Sequence, residues 1–228
     1  GLSGSSDITA NRQPPPPTPP LKGRGEHTRA FIAVQNGCDH DCTFCIIPQG
    51  RGGSRSQAVG HVLADIARHL EAGVREVVLT GVNIGQYRQD QFDLVGLITQ
   101  LEEIEGLERI RISSIEPTTI TNALLDRMAS SSKLCPYLHI PLQSGDDTIL
   151  SSMNRPYNAD EFAHLIQRAV ATVPHLGLGT DLMVGFPGEA EEAFAHTLSL
   201  ARKLPFSYFH VFTYSQRPGT AATKLPDQ

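Results

Sequence analysis

From residue 27 onward the chain alternates between two hydrophobic rhythms. Short apolar runs at 30–35, 76–80, 109–113, 137–143, 178–184 and 208–214 read as strands. Between them, apolar residues recur at helical spacing. Residues 57–73 carry Val59, Val62, Leu63, Ile66 and Leu70, with Gly73 as a natural stop. Residues 94–104, 121–130, 159–173 and 190–204 follow the same rule, with Thr121 as a plausible cap and a short helical stretch near 147–153. Strand starts recur roughly every 30–45 residues, the length of a βα unit with a right-handed crossover. An open doubly wound sheet and a barrel both fit that period. Polar and glycine residues follow every strand: Asn36-Gly37-Cys38, Gly81 with Asn83, Ser113 with Glu116, Gln143-Ser144-Gly145, Gly185, and Tyr214-Ser215. An open sheet gathers its ligands at one switch point, whereas a barrel draws them from all strand ends. The pattern therefore predicts an α/β fold built as a six-stranded parallel partial barrel.

The first 26 residues break this rhythm. Six of the sixteen prolines lie between Pro14 and Pro20, and such a stretch stays extended and buries no core. It reads as a disordered, proline-rich linker, with residues 27–228 as the folded domain. The chain starts at Gly1 with no signal-like apolar segment, as expected of a piece of a longer protein. No run approaches a membrane span of about 18 apolar residues. Net charge is −5 and the isoelectric point is near 6.0, which argues against a domain that grips nucleic acid by charge alone.

The four cysteines change the picture. Cys38, Cys42 and Cys45 form C-x3-C-x2-C, while Cys135 stands apart and reads as a small buried residue. Clustering of this kind suits a metal centre in a reducing, cytoplasmic compartment better than a disulfide scaffold. Three thiolates on one loop suit an iron–sulfur cluster or zinc. A closed zinc site usually pairs two such knuckles, and here there is one. Three ligands on a cubane leave one iron open. The contrasting reading is a zinc-stabilised, non-catalytic RNA-binding module.

With Phe44 before the last cysteine and a strand just ahead, the triplet resembles the radical S-adenosylmethionine (SAM) superfamily. GCDHDCTFCIIPQGRGGSRS (37–56), LTGVNIGQY (79–87), ISSIEP (112–117), LCPYLHIPLQSGDDTILSSMNR (134–155), GTDLMVGFPGE (179–189) and FHVFTYSQRPGTAA (209–222) together resemble the methylthiotransferases. The DHDCTFCIIPQGRG and GVNIG forms look most like members acting on threonylcarbamoyladenosine in tRNA. Relatives act on isopentenyladenosine tRNA or on a ribosomal protein. The resemblance implies a [4Fe-4S] cluster on Cys38, Cys42 and Cys45, reductive cleavage of SAM, and insertion of a methylthio group at C2 of the modified adenosine at position 37. It implies tRNA as substrate and a one-electron donor such as flavodoxin or ferredoxin. An N-terminal domain with its own cluster and a C-terminal RNA-binding domain belong to the family and are expected outside this chain, so weak tRNA binding is expected of it.

The resemblance also implies roles at the strand ends. Phe44 either lies near the adenine or merely covers the cluster. Gly81 and Asn83 approach the SAM amino group or form a plain turn. Glu116, Gln143 and Ser144 offer oxygens to the ribose or the methionyl part, with loop shaping as the alternative. Arg155 either pairs with the SAM carboxylate as a bidentate fork or lies on the surface. Gly185, in GFPG, flanks the adenine or turns the chain. Arg51 and Arg55 hold RNA phosphate or a substrate carboxylate, or belong to a solvated loop. Tyr214, with Arg217 nearby, is a further candidate for substrate contact. His139 points along its strand with Pro141 and Gln143 into the barrel and reads as a core histidine.

Overall fold

The computed structural model describes residues 28–227; the stretch 1–26, read above as a linker, lies outside the described residues. β1 (Arg29–Ala33) runs into β2 (Gln35–Asn36), the cysteine loop and a short helix α1 (Ile47–Arg51). β3 (Arg55–Ser56) pairs back on β2, antiparallel. α2 (Val59–Glu71) leads to β4 (Glu76–Thr80). The small pair β5 (Arg88–Gln89) and β6 (Phe92–Asp93) precedes α3 (Leu94–Glu102) and β7 (Arg109–Ile112). Then come α4 (Asn122–Ser130), β8 (Tyr137–His139), α5 (Asp147–Ser152) and α6 (Ala159–Thr172). β9 (Gly177–Val184), α7 (Glu191–Lys203) and β10 (Tyr208–Thr213) complete the set. Thr121 caps α4 as expected, its side chain accepting from the Leu124 amide. Asn158 and Glu161 form a capping box on α6.

The six expected strands are present and parallel to their neighbours. They do not form one hydrogen-bonded sheet. They fall into two three-stranded sheets, ordered β1-β4-β7 and β8-β9-β10. One isolated bridge, Ile110 to Leu134, and an Ile115 amide donating to the His139 carbonyl (2.9 Å) stitch the halves together. The expected strand 137–143 shrinks to Tyr137–His139 for a chemical reason. Pro136 and Pro141 flank it, and neither has an N–H to give to a ladder. Thr180 patches the gap: its hydroxyl donates to the Ile140 carbonyl (2.7 Å) and accepts from the Leu142 amide (3.0 Å).

Alternation along the strands sorts side chains onto two faces. Ile32, Leu79, Ile110, Leu138 and Leu178 face outward into the main core, against α2, α3, α4 and α6. The residues between them carry charge and hydrogen-bonding groups: Arg29, Glu76, Arg109 and Arg111 in one half, Tyr137, His139, Asp181, Tyr208 and His210 in the other. A parallel sheet is normally apolar on both faces, so the polar face marks the concave side. No helix among the described residues is long and apolar enough to cross a membrane.

Candidate active site

The cysteine loop leaves the C-terminal end of the first strand and is held from three sides. The Cys38 amide donates to the Gly52 carbonyl (3.2 Å). Asp39 accepts from the Ser54 amide (2.8 Å). Thr43 reaches the end of α5, its amide on the Met153 carbonyl (3.1 Å) and its hydroxyl on that of Ser152 (2.8 Å). Behind the loop sits Gln35, 2% exposed. Its amide nitrogen donates to the Gly37 carbonyl (2.7 Å) and the Ser54 hydroxyl (2.9 Å), and its oxygen accepts from the Asn83 amide (2.9 Å). Gln35 thus ties the cysteine loop to the loop after β4. A Cβ on Gly81 would stand 2.7 Å from that same Gln35 oxygen, so the glycine is required by this contact.

Burial pushes the Cys38 thiol up, against the His40 amide and Asn83, which favour the thiolate. Burial also raises Cys42, with Arg155 opposing, and Cys45, with the Ile47 amide opposing. Each thiolate would repel another, so the three are coupled. Neutral buried thiols become ligands only when a cationic centre displaces their protons. Among the described residues, the His, Cys, Asp and Glu ligand atoms that close within 4.8 Å as a group of three are those of His139, Asp181 and His210. The three cysteine sulfurs are not such a group.

Arg155 sits beneath the loop and is buried, at 8% exposure, so it is not the surface arginine of the alternative reading. It donates to the Cys42 sulfur (3.1 Å), the Tyr157 hydroxyl (2.9 Å) and the Glu116 carboxylate. Burial works against its charge, but Tyr157, Glu116 and Cys42 outweigh it and hold the guanidinium protonated. Phe44 meets Phe186 edge-on (6.4 Å between centroids), and Phe186 meets Tyr214 (5.3 Å). These rings pack on Ile149, Met153 and Ala222 in a second small core.

The other candidates are placed as follows. Asn83 is fully buried, its amide nitrogen 3.9 Å from the Cys38 sulfur. Gln143 ends its segment in the left-handed region (φ 69°), as Asp90, Asn154, His175 and Asp227 also do. Ser144 turns instead toward the Thr197 hydroxyl of α7 (3.2 Å). The Gly185 amide donates to the Glu189 carboxylate. Arg51 reaches Asn36 (3.3 Å) and, with Thr80, Gly81 and Val82, lines a cavity of about 380 Å³. Arg55 donates to the Arg51 (2.7 Å) and Gly53 (3.1 Å) carbonyls, bracing the loop. Cys135 is half-buried, not buried as expected, and lies by Arg109, Arg111 and Glu76 at the opposite ends of the strands.

Four buried polar atoms here have no hydrogen-bond partner: Asn83 Oδ1, Ser113 Oγ, Glu189 Oε1 and the Tyr214 hydroxyl. They follow β4, β7, β9 and β10 respectively. Unpaired buried acceptors are costly, and four at the same end of four strands mark a place built for a polar ligand. Gln35, Tyr157 and Glu189 were not among the expected site residues, and Ser113 was expected only as one of the polar residues that follow the strands. Gln35 carried a signal, an amide closing an otherwise apolar run.

The sequence matches the family described as the Radical SAM superfamily over residues 32–201. It is 39% identical over 212 residues to the tRNA-2-methylthio-N(6)-dimethylallyladenosine synthase of Pelotomaculum thermopropionicum, covering 92% of this chain and 47% of that protein. It is 41% identical over 206 residues to the threonylcarbamoyladenosine tRNA methylthiotransferase MtaB of Bacillus subtilis, covering 89% and 46%. The chain thus spans about half the length of the curated relatives it matches. In fold it is similar to the radical SAM methyltransferase TsrM of Kitasatospora setae (TM-score 0.71, 14% identity, 85% of this chain and 35% of that one). It is also similar to methylornithine synthase (TM-score 0.63, 19% identity, 88% and 57%). The matched span begins in β1, takes in the thiol loop and the loops after β4, β7 and β9, and ends in α7; on that footing the chain belongs to the radical SAM superfamily.

Proposed function

We propose that this chain is the radical SAM core of a tRNA methylthiotransferase acting at C2 of N6-threonylcarbamoyladenosine 37. The observation that carries it is the ring of unpartnered buried polar atoms at the strand ends beside three free thiols. Cys38, Cys42 and Cys45 hold a [4Fe-4S] cluster, which when bound supplies the electron that cleaves SAM. Asn83 Oδ1, lacking a donor, accepts from the SAM ammonium. Arg155 favours the Cys42 thiolate by donating to its sulfur, while Glu116 keeps the guanidinium in place. Gln143 and the Ser113 hydroxyl take the ribose and methionyl oxygens, with Ser144 bracing the turn on α7. Phe44, Phe186 and Gly185 wall the adenine, and the Tyr214 hydroxyl is left for substrate. The two half-sheets, stitched at Ile110 and Ile115, act as one six-stranded partial barrel.

The threonylcarbamoyl group carries a carboxylate, whereas an isopentenyl group is apolar. Arg51 beside an open cavity suits the former, and the GVNIG loop resembles members acting on it. Work in the cytoplasm with a flavodoxin- or ferredoxin-type donor follows from this reading. The test is anaerobic: reconstitute the chain with iron and sulfide, reduce it, and add SAM. Production of 5′-deoxyadenosine supports the core reading; none, despite a full cluster, overturns it. The protein with its flanking regions, given tRNA bearing either nucleoside, should methylthiolate the threonylcarbamoyl form. Preference for the isopentenyl form would reassign the substrate but keep the core.

A further inference from the structure

The concave face carries a second constellation, clear of the cysteines, in the half-sheet β8-β9-β10. His139, Asp181 and His210 come from three adjacent strands, with Asp181 in register with His210 and His139 in register with Gly179. His139 Nε2 lies 2.9 Å from Asp181 Oδ1, and His210 Nδ1 lies 3.3 Å from the same oxygen. On its other side His139 Nδ1 meets the Tyr208 hydroxyl (2.8 Å), which in turn meets the Tyr137 hydroxyl. The Tyr208 ring lies over Gly179, where a Cβ would overlap it. Only a glycine there lets the phenol reach the imidazole.

We propose that His139, Asp181 and His210 bind one divalent transition-metal ion, of the zinc or iron(II) class, at a site separate from the thiols. Ligand atoms about 2.0–2.1 Å from a metal stand roughly 2.9–3.4 Å apart at angles of 90–110°. The two measured separations fall in that range. All three ligand atoms lie within 4.8 Å of one another, so a turn of the exposed His210 ring closes the set. Two imidazoles and one carboxylate make a donor set used for zinc and for non-haem iron(II). The outer shell is in place as well. Metal binding takes the lone pair of Nε2, so Nδ1–H donates to Tyr208 and Tyr208 donates on to Tyr137. A ligating histidine is commonly fixed by such a hydrogen bond on its far nitrogen. The open concave face leaves a coordination position for water or an oxygen donor.

The thiols must be silenced in the test, since they also bind such ions. The chain carrying Cys38→Ala, Cys42→Ala and Cys45→Ala is titrated with cobalt(II) and followed by its visible absorption, with zinc binding measured by calorimetry. One equivalent is expected, with no thiolate charge-transfer band. Asp181→Asn or His210→Ala should abolish it, and Tyr208→Phe should weaken it about 10- to 100-fold. If the triple variant does not fold, zinc is counted over iron in the cluster-loaded chain, with and without Asp181→Asn. Absence of binding at millimolar zinc, or one equivalent that survives Asp181→Asn, overturns the site and leaves the histidines as members of a hydrogen-bond chain only.

Discussion

The two ends of the strands treat buried polar groups in opposite ways. At the N-terminal ends Glu76 accepts from Arg109 (2.7 Å) and Arg111 (2.8 Å), with Arg29 at 3.9 Å, and a single buried polar side-chain atom on that side, Nε of the Arg127 paired to Glu102, lacks a partner. At the C-terminal ends four such atoms have none. Polarity alone therefore does not mark a candidate site, nor does one unpaired atom; four unpaired atoms gathered at the same strand ends do. The largely satisfied end contributes to stability through its own pairs, and the other end carries polar atoms that no side chain of the fold pairs.

The largest effect expected from this contrast is all-or-none. Alanine at Cys38, Cys42 or Cys45 should abolish cluster assembly, while Cys135→Ala at the opposite end should leave it intact. Iron and sulfide analysis after anaerobic reconstitution reads the outcome. Loss of iron from Cys135→Ala as complete as from the others would dissolve the distinction between the two ends. Because burial raises all three loop thiols, assembly must release protons, and iron uptake should rise with pH.

Next in size is Arg155. Arg155→Met strips the partner from Glu116, whose side chain is 18% exposed, and should cost about 3–5 kcal/mol in a denaturant titration. Adding Glu116→Gln should recover much of the loss. No recovery would mean that the packing of the guanidinium, not its pairing, is what matters. Smaller still is Asn83→Leu. The change removes an unpaired oxygen and the amide nitrogen 3.9 Å from the Cys38 sulfur; it should alter stability little, yet weaken SAM binding by about 1–3 kcal/mol, roughly 5- to 150-fold. Calorimetry with SAM decides, and unchanged affinity would remove Asn83 from the pocket.

How much of this was legible beforehand differs between the same two ends. Element order and the six strands follow from periodicity, because each spans enough residues to show its period, and the Thr121 cap follows from its residue type just ahead of a helical run. The cysteine triplet was legible because its spacing is local. The elements β2, β3, β5, β6 and α1 were not, being two to five residues long. The break between the half-sheets was visible in principle, as Pro136 and Pro141, but an apolar run across 137–143 argued the other way. Arg155 beneath Cys42 and Gln35 behind Gly81 join residues 113 and 46 positions apart. One sequence carries no register between such segments.

The smallest effect probes the satisfied end alone. Hydrogen bonds from Arg109 and Arg111 outweigh burial and hold the Glu76 carboxyl below its ordinary value of 4.5. A carboxylate with a depressed pKa stabilises the fold above its unfolded value and loses that contribution as pH falls through the folded one. Wild type should therefore be more stable than Glu76→Gln near neutrality. The gap should begin to close below about pH 4.5 and vanish in stronger acid. Its size is modest, since Arg109 and Arg111 are 48% and 34% exposed and water screens the pairs; about 1 kcal/mol is an upper bound. Urea midpoints of the two proteins across pH 3 to 7 measure it. The same substitution should leave SAM affinity alone, because Glu76 opens its strand and the proposed pocket lies past the other end. A gap that persists unchanged at about pH 3 would remove the carboxylate as its cause. A fall in SAM affinity with Glu76→Gln would show that the two ends of the strands are coupled, and the contrast between them would no longer hold.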